Sequence, residues 1–326
     1  MELRGFMHEM ILTELEDAVG TENVSHTSDQ KLAYSTDYFW LARMTVDKGG
    51  DPALPDYVVR PGCAEEISKV LKIANYYKLP VQTWGGGSGS QGGALPMAGG
   101  ILLDIKRMDK LLDIDTRSGT ITCETGMIFQ TLEWYANEQG FSVMHLPSCL
   151  TCCTVGGALA HNGIGILSTK YGKIDDQCLS VEVVLPNGDI INTLPVPKHS
   201  SGPNLLPLFL GSEGTIGIMT KAKFKMTKLP EVRRHHAFLF KDISTGYDAC
   251  REIVQAVKPS IVRLFDEAET VSIIKKVIGF EKRGSFMNLT VEGYAKIVDA
   301  EEEIILDICK KYGAEYLGAE YGAKWF

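Results

Sequence analysis

The spacing of hydrophobic and polar positions divides the chain into two parts that meet near Leu229. In the first part, apolar residues at helical spacing predict helices over residues 8–19, 64–77 and 127–139. Asn187-Gly188 is a strong signal for a hairpin turn between two predicted strands. Short apolar or alternating runs predict strands over 56–60, 81–84, 101–105, 110–114, 120–123, 179–185, 189–193 and 216–226.

Beyond Pro230 the pattern becomes a regular alternation of strands and helices. Strands are predicted over 236–241, 261–265, 286–292 and 315–317, and helices over 245–257, 267–278 and 297–312. This order repeats a strand–helix–strand unit, which suggests a ferredoxin-like layer. We therefore expect an α+β protein with two domains, residues 1–229 and residues 230–326, as its length also suggests.

Composition and charge exclude several other classes of protein. The chain has 33 Lys and Arg against 41 Asp and Glu, and the net charge of −8 gives no bulk attraction to nucleic acid or anionic membranes. The first residues, Met1-Glu2-Leu3-Arg4, lack the layout of a secretory signal, and no apolar run is long enough to span a membrane. We expect a cytoplasmic protein without a transmembrane segment.

Eight cysteines in a chain of this length do not indicate a disulfide framework. The cluster Cys149-x-x-Cys152-Cys153 lacks the further cysteines of an iron–sulfur site. Zinc would need Cys123, Cys178 or His161 from distant positions. We therefore expect no metal, and we interpret the cluster as small residues in a tight loop.

The segment from Gly85 to Gly93, with six glycines in nine positions, is the strongest chemical signal in the sequence. Glycines let successive backbone N–H groups point into one concavity and leave room for a phosphate, and Ser88 and Ser90 add hydroxyl donors. We expect Gly87 and Gly89 to need positive φ values there. A flexible linker is the simpler alternative, but this segment lies between predicted strands.

The letters G-x-G-x-x-G also occur in this segment, beginning at Gly87, but their context does not fit a Rossmann fold. Such a fingerprint opens a helix, whereas Pro96 and Gly99-Gly100 follow here, before another predicted strand. A Walker phosphate loop is excluded because no Gly-Lys-Ser/Thr ends the run.

Two further loops are rich in small residues, residues 147–158 and residues 211–218. Each of these loops, taken alone, is typical of an ordinary tight turn. Three such loops in one chain suggest a shared cause, and an extended diphosphate ligand that contacts all of them would supply one.

Together these segments resemble the FAD-binding oxidoreductases of the vanillyl-alcohol-oxidase and p-cresol-methylhydroxylase (PCMH) type, over about residues 57–226. The resemblance implies a PCMH-type FAD-binding domain of two α/β subdomains, followed by a ferredoxin-like cap domain that is incomplete at its C-terminal side. The matching segments are Val59-Arg60-Pro61, residues 83–93, Thr154-Val155-Gly156-Gly157, Lys170-Tyr171-Gly172 and Gly211-Ser212-Glu213-Gly214-Thr215-Ile216-Gly217.

The resemblance also implies FAD as the cofactor, held without a covalent link. Ser88 and Ser90 stand where relatives attach flavin through a histidine, and Cys152 is the remaining candidate for attachment. The residues that it assigns to the cofactor are Thr83, Trp84, Gly85, Gly86, Gly87, Ser88, Gly89, Ser90, Pro147, Ser148, Cys153, Thr154, Gly156, Gly157, His161, Asn162, Gly163, Tyr171, Glu213, Gly214, Ile216, Gly217 and Ile218.

Two branches of this family compete, the D-2-hydroxyacid dehydrogenases and alkyldihydroxyacetonephosphate synthase. Three segments are similar to the synthase: His145-x-Pro147, Ser200-x-Gly202-Pro203-Asn204 and the segment Ser260–Asp266. Within the last, Arg263 matches the synthase arginine that binds an anionic substrate, as a fork-shaped guanidinium can. Lys198 stands where the synthase has an arginine, which weakens that alternative, and we expect a dehydrogenase.

The expected reaction is the transfer of a hydride from a D-2-hydroxy acid of the D-lactate or glycolate type to flavin N5. Arg263 and Lys198 would bind the substrate anion, and the catalytic base is not identified, with His161 and His199 as candidates. Family members continue past residue 326 into a segment with catalytic tyrosine and histidine residues, so we expect a further segment or a partner subunit to complete the site. The alternatives are a synthase-like enzyme, a non-catalytic electron-transfer subunit and a UDP-N-acetylenolpyruvoylglucosamine reductase.

Overall fold

A computed structural model describes the backbone of residues 2–326 and the side chains from Phe6 onward. The chain forms two compact units, and the predicted boundary at Leu229 lies one residue after Lys228, where the second unit takes over the chain. The second unit also contains two short segments from the earlier part of the sequence, Met144–Leu146 and Ile164–Gly172. The first unit consists of the residues up to Val143, Pro147–Gly163 and Lys173–Thr227.

The first unit contains a four-stranded and a five-stranded sheet. Strands β2, β3 and β4 are parallel in the order β2-β4-β3, with β1 antiparallel at the edge, and the second sheet is antiparallel in the order β5-β6-β10-β8-β9. The strands up to the boundary are β1 (Val24–Ser25), β2 (Tyr57–Val59), β3 (Val81–Trp84), β4 (Ile101–Asp104), β5 (Leu111–Asp115), β6 (Thr120–Glu124), β7 (Phe141–Ser142), β8 (Cys178–Val184), β9 (Ile190–Asn192), β10 (Ile218–Lys225) and β11 (Thr227–Lys228).

The parallel sheet follows from a strand–helix–strand unit. The helix Ala64–Tyr77 has the predicted bounds, with Glu65 and Glu66 in its first turn, where negative charge suits the helix dipole. Its buried face, which includes Ile67 and Val70, packs against residues of β2 and β4. The glycine-rich segment begins directly after the carboxyl end of β3, the second strand of this strand–helix–strand unit.

The second unit is a four-stranded antiparallel sheet in the order β13-β14-β12-β15, which is the ferredoxin-like order. The helices Ile243–Ala256 and Ala295–Lys311 cover one face of it. A helical insertion at residues 267–278, with a π-turn at Thr270–Ile274, replaces a direct hairpin between β13 and β14. The strands are β12 (Val232–Phe240), β13 (Ile261–Leu264), β14 (Ser285–Gly293) and β15 (Glu315–Gly318).

The α+β class is confirmed, and the predicted strands and long helices are present, with ends that shift by a few residues. The pattern did not predict several short helices, because they have few buried positions; Trp40–Asp47, for example, buries no residue. No helix in the described range is both long and apolar enough to cross a membrane. The helices are Glu2–Val19, Ser28–Ala33, Trp40–Asp47, Ala64–Tyr77, Phe129–Glu138, Val155–His161, Ser168–Tyr171, Ile174–Gln177, Leu206–Phe209, Ile243–Ala256, Glu267–Glu269, Lys275–Ile278, Ala295–Lys311 and Ala319–Trp325, with 3-10 turns at Thr21–Asn23 and Ile105–Arg107.

Replacement of Phe224 by alanine should destabilise the first unit strongly. Phe224 is fully buried on β10 and meets the Phe129 ring edge-on, with 6.1 Å between ring centroids. Removal of such a side chain costs about 3–5 kcal/mol in the free energy of unfolding. The matched control is Leu112→Ala on β5, which is exposed and should change that free energy by less than about 1 kcal/mol. Urea titration followed by circular dichroism measures both, and equal effects would contradict the assigned core.

Candidate functional site

The glycine-rich segment begins where β3 ends, and its first turn is fixed by a buried ring. Gly87 has a φ of 63°, and a Cβ there would lie 2.6 Å from the Trp84 ring. Only glycine satisfies both conditions without strain. For Gly89 the expectation of a positive φ was wrong, because its φ lies outside the left-handed region. A Cβ on Gly89 would meet no protein atom within 4 Å. Space beside Gly89 is therefore open.

In the glycine-rich segment, the backbone carbonyl groups and the backbone N–H groups differ in their partners. Its carbonyls contact the protein: the N–H of Tyr38 donates to Gly87 O at 2.9 Å, and the amide of Gln82 donates to Gly93 O at 2.7 Å. By contrast, within the described chain none of the backbone N–H groups from Gly85 to Gly93 donates to a protein acceptor. Such an array of unpartnered donors without side chains is suited to an anion.

The second small-residue segment packs directly on the first. A Cβ at Gly86 would lie 1.9 Å from the carbonyl oxygen of Cys152, and one at Gly85 would lie 2.4 Å from Thr154 Oγ1. Thr154 caps the helix Val155–His161, because its hydroxyl accepts a hydrogen bond from the N–H of Gly157 at 3.1 Å. The main chains of the two segments are thus in contact, with no room for a side chain at Gly85 or Gly86.

The third small-residue segment, residues 211–218, contacts both the glycine-rich segment and the end of β3. A Cβ at Gly93 would lie 3.0 Å from Glu213 Oε2, and one at Gly214 would lie 3.1 Å from Thr83 Oγ1. The N–H of Glu213 donates to the carbonyl of Ala160 at 3.0 Å, at the end of the capped helix. The structure therefore brings all three predicted loops together in one unit.

The predicted cofactor residues differ in what they can offer a ligand. Trp84 and Cys153 are buried, so their side chains shape the loops from behind, whereas His161 is exposed. Asn162 and Glu213 have left-handed φ values of 53° and 51° at the ends of their turns. Tyr171 belongs to the second unit, where its hydroxyl hydrogen-bonds to Glu292 and burial raises its pKa. The other residues assigned to the cofactor lie in or next to the three loops.

The sequence did not predict the contribution of residues 37–39. Besides the Tyr38 bond to Gly87, the Phe39 ring lies against Gly92, where a Cβ would come within 2.9 Å. Asp37 orders this segment by accepting a hydrogen bond from the N–H of Phe39 at 2.8 Å. The aromatic run Tyr38-Phe39-Trp40 was the available signal, but it has no periodicity that indicates a role.

The two predicted substrate residues lie in different units. Lys198 is exposed in the first unit, in the segment between β9 and the helix Leu206–Phe209. Arg263 lies on β13, with its guanidinium 5.0 Å from the centroid of the Trp325 ring. Arg263 forms no ion pair with the neighbouring carboxylates, because Asp266 caps a helix turn through Glu269 N and Glu267 pairs with Arg283.

Comparison with known proteins identifies this arrangement. Residues 55–194 match the FAD binding domain family. Three curated relatives are similar over most of the chain: alkyldihydroxyacetonephosphate synthase of Dictyostelium discoideum (30% identical, 91% of this chain, 53% of the relative), glycolate oxidase subunit GlcD of Bacillus subtilis (30%, 91% and 62%) and D-lactate dehydrogenase of Archaeoglobus fulgidus (36%, 68% and 50%). The chain thus spans about half to three fifths of the length of these relatives.

Solved structures agree with the relatives. Alkyldihydroxyacetonephosphate synthase superimposes with a TM-score of 0.85 over 97% of this chain and 63% of its own, at 26% identity. p-Cresol methylhydroxylase with bound substrate shares the fold, with a TM-score of 0.78 over 96% of this chain and 66% of its own, at 22% identity. The PCMH-type fold and FAD as cofactor are confirmed, and the glycine-rich loop fits a diphosphate through N–H groups that have no acceptor among the described residues and through its missing Cβ atoms.

The purified protein should be yellow, and denaturation by acid or heat should release FAD rather than FMN. The reason is that the glycine-rich loop provides donors for a diphosphate, while it carries Ser88 and Ser90 where the resemblance implies a flavin-linked histidine in other members. Chromatography of the supernatant after precipitation measures the released flavin. Flavin that stays with the precipitate would show a covalent link and point to Cys152.

Substitution of valine at Gly87 and, separately, at Gly89 should distinguish an effect on folding stability from an effect on FAD binding. Gly87→Val should lower both the melting temperature and FAD affinity, because of its positive φ and its contact with Trp84. Gly89→Val should leave the melting temperature of the FAD-free protein unchanged and weaken FAD binding at least about tenfold, the effect of roughly 1.4 kcal/mol. Differential scanning fluorimetry and flavin fluorescence titration measure the two quantities. Unchanged FAD affinity in Gly89→Val would place the diphosphate elsewhere.

Proposed function

Because the chain belongs to the FAD-binding oxidoreductases of the PCMH type, we propose that it forms the FAD-binding part of an enzyme that oxidises a D-2-hydroxy acid such as D-lactate or glycolate. When bound, FAD supplies the hydride acceptor for such an oxidation. The similarity to a glycolate oxidase subunit and to a D-lactate dehydrogenase supports this substrate class. The single observation that carries it is an arginine whose guanidinium is available for an anion.

Arg263 has the features of a carboxylate ligand. No described carboxylate forms an ion pair with it, and its guanidinium lies over aromatic rings, 5.0 Å from the Trp325 centroid and 5.8 Å from the Phe265 centroid. Stacking of this kind holds the guanidinium plane in place while its edge stays free for hydrogen bonds. A planar fork of donors binds a carboxylate through two parallel hydrogen bonds.

Asn288 supports a polar ligand at the same face of the sheet. It lies directly opposite Arg263 in the β13–β14 register and is completely buried. In the part of the chain that the structure describes, neither its amide nitrogen nor its amide oxygen has a hydrogen-bond partner. Buried amides are normally satisfied, so a ligand or an ordered water is expected to contact this side chain.

The second candidate is an enzyme similar to alkyldihydroxyacetonephosphate synthase. It is favoured by the structural similarity over 97% of the chain and by the segment Ser260–Asp266, in which Arg263 would bind a phosphate rather than a carboxylate. The lysine at position 198 remains a departure from the synthase. A non-catalytic FAD subunit is the remaining alternative, and it would not react with any hydroxy acid.

Neither candidate histidine is arranged as the catalytic base of this reaction. His161 is exposed in the first unit, and His199 Nδ1 lies 2.9 Å from the carbonyl of Ser201. Among the described residues, neither imidazole has a partner that would activate it as a base. We therefore assign the binding of the substrate anion to Arg263 and assign no residue to the base.

Replacement of Arg263 by alanine should raise the apparent dissociation constant of the hydroxy acid at least about tenfold, because a charge-assisted contact contributes about 1.5–3 kcal/mol. Arg263→Lys should recover only part of the affinity, since an ammonium group cannot present the fork. Anaerobic absorbance titration with D-lactate and glycolate measures the reduction of the flavin in the full-length protein. FAD content should stay unchanged.

The matched control is Arg283→Ala, which removes an exposed arginine paired with Glu267 and should leave the titration unchanged. Equal reduction of the wild type and Arg263→Ala would move the anion site, with Lys198 as the next candidate. If no hydroxy acid reduces the flavin but an alkyldihydroxyacetone phosphate is formed, the second candidate replaces the first.

A further inference from the structure

Three thiols lie within five residues at the point where the second loop contacts the glycine-rich loop. Cys149 is half-buried, Cys152 is exposed and Cys153 is buried, and all three are free. A one-turn helical bend joins them, since the N–H groups of Cys152 and Cys153 donate to the Cys149 carbonyl at 2.9 and 2.8 Å. The turn rests on Gly86, where a Cβ would lie 3.1 Å from the Cα of Cys153.

The Cys149 thiol has surroundings that favour its ionised form. The Cys153 thiol and the Ser88 hydroxyl of the glycine-rich loop are the two nearby donors that favour the thiolate. Together with His161, these contacts hold the pKa of Cys149 below its ordinary value, although partial burial opposes the shift. The same pairing raises the pKa of Cys153. Cys149 is also the more accessible of the two thiols, and it is therefore the nucleophile of the pair.

We propose that Cys149 and Cys153 form a reversible disulfide when hydrogen peroxide is present, and that this modification weakens the binding of FAD. The proposal depends on the cofactor but not on the identity of the substrate. In the first step the Cys149 thiolate attacks peroxide, an S–O bond forms, the O–O bond breaks and hydroxide leaves. In the second step the Cys153 sulfur attacks the sulfenic acid, the S–S bond forms, and water leaves with the thiol proton. The two thiols are oxidised and peroxide is reduced to water.

The geometry of the turn allows this bond. An i to i+4 hydrogen bond of helical type places the two Cα atoms about 6 Å apart, from a rise of 1.5 Å per residue. That separation lies within the usual range for disulfides, about 4.4–6.8 Å. Residues four apart on a helical turn have Cβ atoms about 5–6 Å apart, whereas a disulfide needs about 3.5–4.5 Å, so formation of the bond draws Cys149 and Cys153 together by about an ångström.

The disulfide acts on FAD through the contacts between the cysteine turn and the glycine-rich loop. It removes the thiolate that accepts the Ser88 hydroxyl, and it pulls on Cys153, whose main chain lies against Gly86. Because main chain packs on main chain there, a shift of a few tenths of an ångström moves the glycine-rich loop. The donors for the diphosphate are on that loop, so their alignment depends on the redox state of the turn.

The test treats purified, FAD-loaded protein with hydrogen peroxide and follows two quantities. Peptide mass mapping identifies the linked cysteines, and flavin fluorescence titration gives the FAD dissociation constant before oxidation, after it, and after addition of dithiothreitol. We expect a Cys149–Cys153 link, a dissociation constant raised at least about tenfold, as the loss of one or two charge-assisted contacts implies, and recovery with dithiothreitol.

Two variants make the result specific. In Cys149→Ser, the dissociation constant should be the same before and after peroxide, whatever its starting value. Cys63→Ser, a half-buried cysteine before the helix Ala64–Tyr77 whose pKa is raised by burial, should respond as the wild type does. The proposal is overturned if peroxide leaves Cys149 reduced, if it links Cys149 to Cys152 instead, if the link forms without a change in FAD affinity, or if Cys149→Ser still loses FAD.

Discussion

The architecture of the first unit depends on a direct approach of main chain to main chain, at Gly86 and the carbonyl of Cys152. No side chain fits there, since even a Cβ would lie 1.9 Å from that oxygen. The approach holds the glycine-rich loop against the capped turn at Thr154, and the third loop closes on both through Glu213. The carbonyls of Gly87 and Gly93 accept hydrogen bonds from Tyr38 and Gln82, whereas the N–H groups of this loop have no acceptor among the described residues and are available to the cofactor diphosphate. The steric constraint at Gly86 thus fixes the position of the loop whose N–H groups provide the chemistry of the site.

The sheet of the second unit carries an apolar core on one face and buried polar side chains on the other. Phe238 and Leu289 pack with Val298 of the helix Ala295–Lys311 on the first face. On the opposite face, Asn288 is buried beside the exposed Arg263, whose guanidinium lies over two aromatic rings. The amide of Asn288, which has no partner among the described residues, costs stability unless a polar ligand or water satisfies it, so packing alone would not maintain it.

Periodicity predicted the elements that bury a continuous face, and it did so nearly to the residue for Ala64–Tyr77. It missed short helices such as Trp40–Asp47, because a helix that buries nothing leaves no pattern. The three loops could be predicted because glycine and small residues have few other reasons to recur in that order. The role of Tyr38 could not, since a backbone N–H that donates to a distant carbonyl depends on no particular side chain. The open space at Gly89 likewise needed the structure, because glycine in a sequence does not reveal which φ it adopts.

The two segments Met144–Leu146 and Ile164–Gly172 belong to the second unit although the chain returns to the first unit between and after them. Leu167 and Met144 are buried against Ile261, which lies 94 and 117 residues later in the sequence. Contacts between residues so far apart in sequence cost loop-closure entropy before they form, and this cost slows folding. The second unit therefore cannot mature as an autonomous C-terminal module during synthesis. Its sheet can form once β15 has been made, but the layer that covers Ile261 also needs these two earlier segments of the chain.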